Sequence, residues 1–352
     1  MKILNTKDVK DVKDPEDLKG VGSTNHTTPS GREGEGAFSS RDRKGTFGFM
    51  AFEWVILAYL LVTLAITIIL HDRMVNPSSM IWGRVGILAF MCVMWWAYRI
   101  KPCLANKVVR VVFHLVMLSW WYPDTFELNR MLPNLDHIFA SLEQSVFGMQ
   151  PALLFSKTFD SPVFSELMCL GYSSYFPMIA VVSVYYLIRK RVEFERVVFV
   201  IIAAFFIHYV IFDLLPVSGP QFYYCVVGED KIAQGVFPNI NNYFYTAWDG
   251  NVLPIPGEKG PFQMLVQMAH EAGERPTAAF PSSHMGVTTV LMLLAWHSRS
   301  KWLFFCLLPL SILMFFATFY IKAHYAIDAF AGIVSGVICY WLLMKVKVII
   351  QE

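Results

Sequence analysis

Residues 302–344 read WLFFCLLPLSILMFFATFYIKAHYAIDAFAGIVSGVICYWLLM. The stretch holds two apolar runs, 302–320 and 325–344, separated by a four-residue connection. Each run is about as long as the ~20 apolar residues that an α-helix needs to cross a bilayer. The stretch therefore predicts two consecutive membrane-spanning helices, with His324 and Asp328 at the turn between them.

The composition of the whole chain agrees with a membrane protein. Of the 352 residues, 55% are hydrophobic and only 16% are charged, which is too apolar for an ordinary soluble domain. The formal net charge of +2 argues against nucleic-acid binding, because it produces no field that attracts a polyanion. The six cysteines form no Cys-x-x-Cys pair, which predicts neither a zinc site nor a disulfide framework.

Other apolar runs extend the same pattern toward the N-terminus. They cover residues 51–70, 80–98, 108–122, 164–188, 197–215 and 282–296. His114 interrupts the third of them, which fits either a tight span or a re-entrant helix. With the two C-terminal runs, the sequence predicts an all-α, polytopic transmembrane helix bundle of about eight spans, with six as the lower bound.

The pattern divides the chain into four regions. Residues 1–48 are polar and predict a disordered cytoplasmic tail, and residues 49–122 predict the first transmembrane helices. Residues 123–163 predict an outer-face connection with an amphipathic helix, which either guides a lipid or forms a lid on the bundle. Residues 164–348 predict the catalytic transmembrane core. The apolar positions of the amphipathic helix are Leu132, Leu135, Ile138, Phe139 and Leu142.

Basic residues indicate one orientation of the bundle. They cluster in alternate connections, at Arg99, Lys101, Lys107, Arg110, Arg189, Lys190, Arg191, Arg196, Arg299, Lys301, Lys345 and Lys347. The positive-inside rule places these connections in the cytoplasm and the two long connections outside. Segments 281–284 and 324–328 then share the outer face. We expect a bacterial inner membrane, with a site that faces the periplasm.

The segment Pro281-Ser282-Ser283-His284 has the features of a helix start. Pro281 suits the first helical position, and Ser282 and Ser283 place hydroxyls beside unpaired backbone N–H groups. Such a helix end binds anions readily. An imidazole at His284 would be able to protonate the leaving oxygen of a bound phosphate.

The second polar segment is Lys322-Ala323-His324-Tyr325-Ala326-Ile327-Asp328. The four-residue spacing of His324 and Asp328 predicts that both lie on one helix face. A carboxylate at Asp328 would fix the tautomer of the imidazole and leave its other nitrogen free to attack phosphorus. Ionisable groups at membrane depth are costly and usually functional, so the three residues predict a catalytic site.

These two segments resemble the second and third signature motifs of the type-2 phosphatidic acid phosphatase superfamily. The resemblance covers about the last 140 residues and rests on the order, spacing and membrane setting of the motifs. It implies that His324 is the nucleophile that becomes phosphorylated, that His284 is the general acid, and that Asp328 orients the nucleophile. It also implies a site that uses no metal and no cofactor.

The chain departs from the phosphatase pattern where those enzymes carry cations that grip phosphate. The corresponding places hold Phe212, the pair Gly219-Pro220 and the pair Ala317-Thr318. With the segment Gly219-Pro220-Gln221-Phe222-Tyr223, this is more similar to the branch that contains the fungal inositol phosphorylceramide synthases, the targets of aureobasidin. That resemblance implies a phospholipid donor and a ceramide-like acceptor. A phosphodiester carries one charge fewer than a monoester, so fewer cations would be needed to bind it.

Further substrate-binding residues are expected around the motifs. Ser282 and Ser283 belong to the anion-binding helix start, and Gly219 and Gln221 to the branch-specific segment. The candidates for additional phosphate or headgroup contacts are Lys322, Arg275, Tyr223, His208 and Asp213. Lys322 also fits a lysine that extends to the membrane interface, and His208 and Asp213 also fit a structural pair.

Three other functions fit part of the pattern. A hydrolase would use water as acceptor, as phosphatidate and undecaprenyl-diphosphate phosphatases do, and the missing cations argue against it. A transporter or receptor would explain the bundle but not two histidines and an aspartate in this spacing. A soluble vanadium haloperoxidase shares the site pattern and is excluded by the spans. The sequence thus predicts a membrane lipid phosphotransferase that acts through a phosphohistidine.

Overall fold

The computed structural model describes residues 48–257 and 260–348, which contain helices and no β-strand. The all-α prediction is confirmed. The predicted N-terminal tail lies outside the described residues, except for Gly48.

Fifteen α-helices occupy the described residues. The first eight are α1 (Ala51–Ile69), α2 (Pro77–Ile100), α3 (Leu104–Asn129), α4 (Asp136–Phe147), α5 (Pro151–Thr158), α6 (Pro162–Ser173), α7 (Tyr175–Arg189) and α8 (Phe194–Leu214). The others are α9 (Pro220–Val227), α10 (Glu229–Ala233), α11 (Tyr243–Thr246), α12 (Pro261–Gly273), α13 (Ser283–His297), α14 (Lys301–Tyr320) and α15 (Ala326–Met344). Short 3₁₀ turns precede α2 and α8, at His71–Arg73 and Arg191–Glu193.

Five helices are long and apolar enough to cross a membrane within the described ranges: α1, α2, α8 with its preceding turn, α14 and α15. The pair α6 and α7, bent by 44°, passes the same test and makes a sixth. Six spans equal the lower bound of the sequence prediction. The remaining two predicted runs form α13, which has only 15 residues, and α3, which is a single 26-residue helix interrupted by polar side chains.

Helix α8 is the centre of the bundle, because it is buried along most of its length and packs against α1, α3, α7, α13 and α15. Helices α13 and α15 approach each other most closely. A Cβ atom at Gly332 or Gly336 of α15 would clash with backbone oxygens of Ser282 or Gly286. Glycine at these positions therefore allows the two helices to touch, which brings Ser282 and His284 next to the start of α15.

The bundle has a basic end and an end that carries the two polar motifs. At the basic end, Arg196 donates to the Met344 carbonyl oxygen at 3.2 Å, and His297 lies 3.0 Å from Glu193. These contacts place the start of α8 beside the ends of α13 and α15. Most of the basic residues of the predicted inner connections lie at this end: Lys107, Arg189, Lys190, Arg191, Arg196, Arg299, Lys301, Lys345 and Lys347.

Two buried ion pairs join the three N-terminal helices. Arg84 of α2 donates to both carboxylate oxygens of Asp124 of α3, at 3.0 and 2.6 Å, and to Thr63 of α1 at 3.0 Å. Arg110 of α3 pairs in the same bidentate way with Glu53 of α1. All four charged side chains are buried. Loss of either partner would destabilise the bundle, because it would leave the other charge buried without a counter-charge.

Replacement of Arg84 alone is therefore expected to destabilise the bundle more than replacement of both members of its pair. Arg84→Met should lower the free energy of unfolding by about 3–5 kcal/mol, since it leaves Asp124 buried and unpaired. The double variant Arg84→Met/Asp124→Leu should recover most of that loss. Thermal unfolding of the three proteins in one detergent provides the measurement. If the double variant is no more stable than Arg84→Met, the loss of stability in Arg84→Met does not come from the unpaired Asp124.

Candidate active site

His284 lies in the first turn of α13, as predicted. The helix begins at Ser283, because the Ser282 hydroxyl caps it by accepting the Met285 N–H at 3.4 Å. The prediction that Pro281 occupies the first helical position is therefore wrong. The His284 ring packs between Tyr172 and Tyr175, with centroid distances of 4.5 and 4.4 Å, which holds the imidazole in one orientation.

His324 lies in the segment between α14 and α15, where it is 4% exposed. Its Nδ1 is 2.7 Å from the carbonyl oxygen of Ala279. A carbonyl oxygen only accepts hydrogen bonds, so Nδ1 carries the proton and Nε2 keeps a free lone pair. Nε2 lies 3.4 Å from Nδ1 of His284. The two imidazoles therefore meet with the nucleophilic nitrogen of His324 turned toward His284.

Asp328 is close to His324 but does not form its shortest contact. The Asp328 Oδ2 atom lies 3.9 Å from Nδ1 of His324, beyond hydrogen-bond distance, and accepts the Tyr325 N–H at 2.8 Å. That cap makes α15 begin at Ala326, after His324. The prediction that His324 and Asp328 share a helix face is therefore wrong. The Ala279 carbonyl oxygen, and not Asp328, therefore holds the tautomer of His324.

Burial sets the protonation of His324. It lowers the pKa of this imidazole from its usual value to about 4, although the hydrogen bond to Ala279 opposes the shift. A low pKa leaves the ring neutral above about pH 4, and only the neutral ring has a lone pair for nucleophilic attack. His324 is thus in its reactive form at neutral pH.

The carboxylate of Asp136, at the start of α4, joins the segments that form the site. It accepts the backbone N–H and the hydroxyl of Ser218, both at 2.7 Å, and the N–H of Gly219 at 2.8 Å. It also accepts the Tyr325 hydroxyl at 3.0 Å. Ser218 and Gly219 follow α8, and Tyr325 adjoins His324 in sequence. One fully buried carboxylate therefore fixes the two segments relative to each other.

Gly219 allows the two segments to approach closely. Its φ angle of +89° is unfavourable for residues with a side chain, and a Cβ atom there would meet the Ala323 carbonyl oxygen at 2.5 Å. Gln221, two residues further on, donates its backbone N–H to the Lys322 carbonyl oxygen at 2.7 Å. The segment containing Gly219 thus supports the backbone on both sides of Ala323.

Glu143 caps the start of α15 from the same face of α4 as Asp136. Its Oε2 accepts the Ile327 N–H at 3.1 Å, and burial raises the pKa of this carboxyl to about 7. Its Oε1 is buried without a hydrogen-bond partner in the described part of the chain. Glu143 therefore holds the helix start that carries Asp328.

Asp136 and Glu143 were missed as site residues. Three of the apolar positions of the predicted amphipathic helix, Leu132, Ile138 and Leu142, are exposed. The buried face of α4 holds Asp136, Ala140 and Glu143 instead. It turns inward because N–H groups of the site segments need acceptors. Two acidic residues seven positions apart, with alanine between them on the same face, were the available signal.

Three predicted phosphate ligands have other partners. Lys322 donates to Glu229 at 2.8 Å, Arg275 donates to the Glu274 carbonyl oxygen at 2.7 Å, and the Tyr223 hydroxyl donates to the Pro238 carbonyl oxygen at 2.8 Å. A phosphate would have to displace Glu229, which also pairs with Lys157, before it reached Lys322.

His208 and Asp213 lie on α8 but do not contact each other. The His208 ring nitrogens lie 2.8 Å from the Ala204 carbonyl oxygen and 3.0 Å from the Ser335 hydroxyl. Asp213 accepts the Tyr59 hydroxyl at 2.9 Å. Both residues connect α8 to neighbouring helices, and neither lines the cavity next to His284.

A cavity of about 550 Å³, called here the site cavity, opens next to His284. Helices α3, α6, α7, α8, α12 and α13 enclose it, mostly with tyrosine, phenylalanine and aliphatic side chains. Its polar lining, besides four tyrosines, consists of Ser119, Ser173, His270, Glu274, Ser283 and His284. Glu274 accepts the Tyr122 hydroxyl at 3.0 Å and the Gln221 amide at 2.9 Å. The described lining includes no lysine or arginine.

The chain matches the family model of the PAP2 superfamily over residues 137–342, more than half of its length. It belongs to this superfamily, and the two histidines lie within the matched region. The protein is accordingly a membrane enzyme of the lipid phosphatase and phosphotransferase type. Searches of curated proteins and of solved structures give no match.

Replacement of Asp136 tests whether its carboxylate supports the site. Asp136→Asn leaves one acceptor oxygen where five hydrogen bonds end, from Asn134, Ser218, Gly219 and Tyr325, and a lost hydrogen bond to a charged group costs about 1.5–3 kcal/mol. We expect turnover to fall at least about tenfold and the unfolding temperature to drop. The control is Asp72→Asn, since Asp72 is fully exposed. Unchanged turnover and stability in Asp136→Asn would show that the carboxylate is dispensable.

Proposed function

We propose that the protein is a lipid phosphotransferase that carries the transferred group on His324. The observation that supports this most directly is the contact between the unprotonated Nε2 of His324 and Nδ1 of His284, 3.4 Å apart beside the site cavity. A nucleophile and a general acid must reach the same phosphoryl group, one at phosphorus and the other at the leaving oxygen on the opposite side, so the bound phosphoryl group would lie between these two nitrogens.

In the first proposed step, Nε2 of His324 attacks the phosphorus of a phospholipid. A P–N bond forms, the P–O bond to the diacylglycerol oxygen breaks, and His284 gives that oxygen its proton. In the second step, His284 takes the proton of a ceramide-like hydroxyl, whose oxygen attacks phosphorus and breaks the P–N bond. The second step returns both histidines to their starting states. Asp328 stabilises the positive charge that His324 carries between the steps.

The lining of the site cavity favours a lipid alcohol over water as acceptor. Aromatic and aliphatic side chains surround His284 and limit access of bulk water. Glu274 and the serine hydroxyls are suited to hydroxyl groups, whereas a carboxylate repels a doubly charged phosphate monoester. A phosphodiester carries a single negative charge, which suits a cavity whose described lining has no lysine or arginine.

The first turn of α13 is the best candidate to hold the phosphate. Its backbone N–H groups at Ser283 and His284, next to the Ser282 and Ser283 hydroxyls, form an arrangement that binds anions at helix starts. Both serines are buried, so their hydrogen bonds would act in a medium of low dielectric. Lys322 would join them only after release from Glu229.

The basic end of the bundle supports an orientation for the enzyme. Lysine and arginine favour the cytoplasmic side of a membrane, and the motif-bearing end lies opposite to them. We therefore propose that the site faces the non-cytoplasmic side, which is the periplasm for a protein of the bacterial inner membrane.

A lipid assay tests the proposed function. The purified protein in detergent receives labelled phosphatidylinositol, phosphatidic acid and ceramide, and the products are identified by mass spectrometry. We expect a phosphorylated ceramide together with diacylglycerol. His324→Ala should lower the rate at least about 10³-fold, as removal of a nucleophile does, and His284→Ala about 10²–10⁴-fold, as removal of a general acid does.

The matched control is His297→Ala, because His297 pairs with Glu193 at the opposite end of the bundle. It should retain wild-type turnover. Release of free phosphate without a new lipid would replace the transferase with a hydrolase that uses water. Absence of both products with every lipid would contradict the proposed function.

A further inference from the structure

An apolar groove of about 490 Å³ runs between α3 and α7. On α3 it extends from Val108 to Ser119, and on α7 from Phe176 to Leu187, with Phe194 at its far end. We call it the α3–α7 groove. It is distinct from the site cavity but shares Leu118, Ser119 and Phe176 with it.

We propose that the α3–α7 groove binds one alkyl chain of the lipid whose phosphate reaches His284 and His324. The inference rests on the proposed function, because it assigns a binding site to the lipid part of that substrate. Its first support is continuity. The three shared residues join the groove to the site cavity, so a chain in the groove continues into the space beside His284.

The lining of the groove selects an apolar occupant. Its polar lining side chains are Ser119 and Ser183. The Ser119 hydroxyl already donates to the Val116 carbonyl oxygen at 2.7 Å, and the buried Ser183 hydroxyl has no partner within the described ranges. A polar segment would leave most of its hydrogen-bonding groups unsatisfied here, which is unfavourable. An alkyl chain has no such groups.

The dimensions of the groove fit a single chain. The eleven residue steps from Val108 to Ser119 span about 16 Å at the α-helical rise of 1.5 Å per residue. A volume of about 490 Å³ over that length gives a mean cross-section of about 30 Å². A helix about 10 Å across needs about 80 Å², so a helix of a second protein does not fit inside. The groove is also open laterally, since Val112, Val116 and Val184 are exposed.

The position of the groove predicts that the enzyme distinguishes lipid substrates by the length of their alkyl chains. The open end meets the site cavity, and the far end reaches Leu187 and Phe194 at the basic end of the bundle. A chain that fills the groove packs its methylenes against the groove lining, and these contacts contribute to binding. A chain too short to enter the groove forgoes that contribution.

Neighbouring residues of α7 provide a matched pair of variants. Both residues are exposed, but Ala180 lines the groove and Val181 does not. We expect Ala180→Phe to raise KM for a long-chain phospholipid at least about tenfold while kcat/KM for a short-chain, water-dispersed analogue stays unchanged. Val181→Phe should match the wild type with both substrates. Ala180→Leu, a milder change, should raise KM for the long-chain lipid by an intermediate factor.

A second readout does not depend on turnover. A phospholipid with a photoactivatable diazirine at the end of one chain should crosslink to α3 or α7 within the groove, and Ala180→Phe should reduce that crosslink. Equal KM values for Ala180→Phe and Val181→Phe at every chain length, or a crosslink confined to other helices, would overturn the proposal. A wild type that crosslinks here but transforms no lipid would refute the proposed function and leave the groove supported.

Discussion

The site depends on the buried carboxylate of Asp136. The segment after α8 and the segment before α15 are more than a hundred residues apart, and Asp136 accepts hydrogen bonds from both. Five donated hydrogen bonds offset part of the cost of burying this group, although burial still raises its pKa above the usual value. Because Tyr325 adjoins His324, this carboxylate helps to set where the imidazole lies. Helix α4 thus acts as a support for the site, and its exposed apolar residues lie on the opposite face.

Part of this arrangement was predictable from the sequence. In a chain with few charged residues, a serine pair and a histidine at the start of an apolar run stand out, so the helix start at His284 was found. Hydropathy also predicted the membrane spans, except at α3, which carries polar side chains, and at α13, which is short. The Ala279 contact could not be predicted, because a backbone carbonyl has no sequence signature. Asp136 and Glu143 looked like the hydrated face of a surface helix.

Two physical features of the site act together. Burial keeps His324 neutral and therefore nucleophilic, and the aromatic lining of the site cavity limits contact with water. The proposed chemistry needs both, since a phosphohistidine open to bulk water would be hydrolysed before a lipid alcohol arrived. The α3–α7 groove would hold the lipid substrate by its alkyl chain, so that the polar groups near His284 contact only the reacting phosphate and hydroxyl groups.

The proposed function requires that the transferred group passes through His324. The direct measurement is to mix the purified enzyme with a labelled phospholipid donor and no acceptor alcohol, to quench in alkali, and to map the label by peptide mass spectrometry. We expect an alkali-stable, acid-labile adduct on the peptide that contains His324, which disappears when ceramide is added. Lipid transfer without a labelled histidine, or with the label on His284, would contradict it.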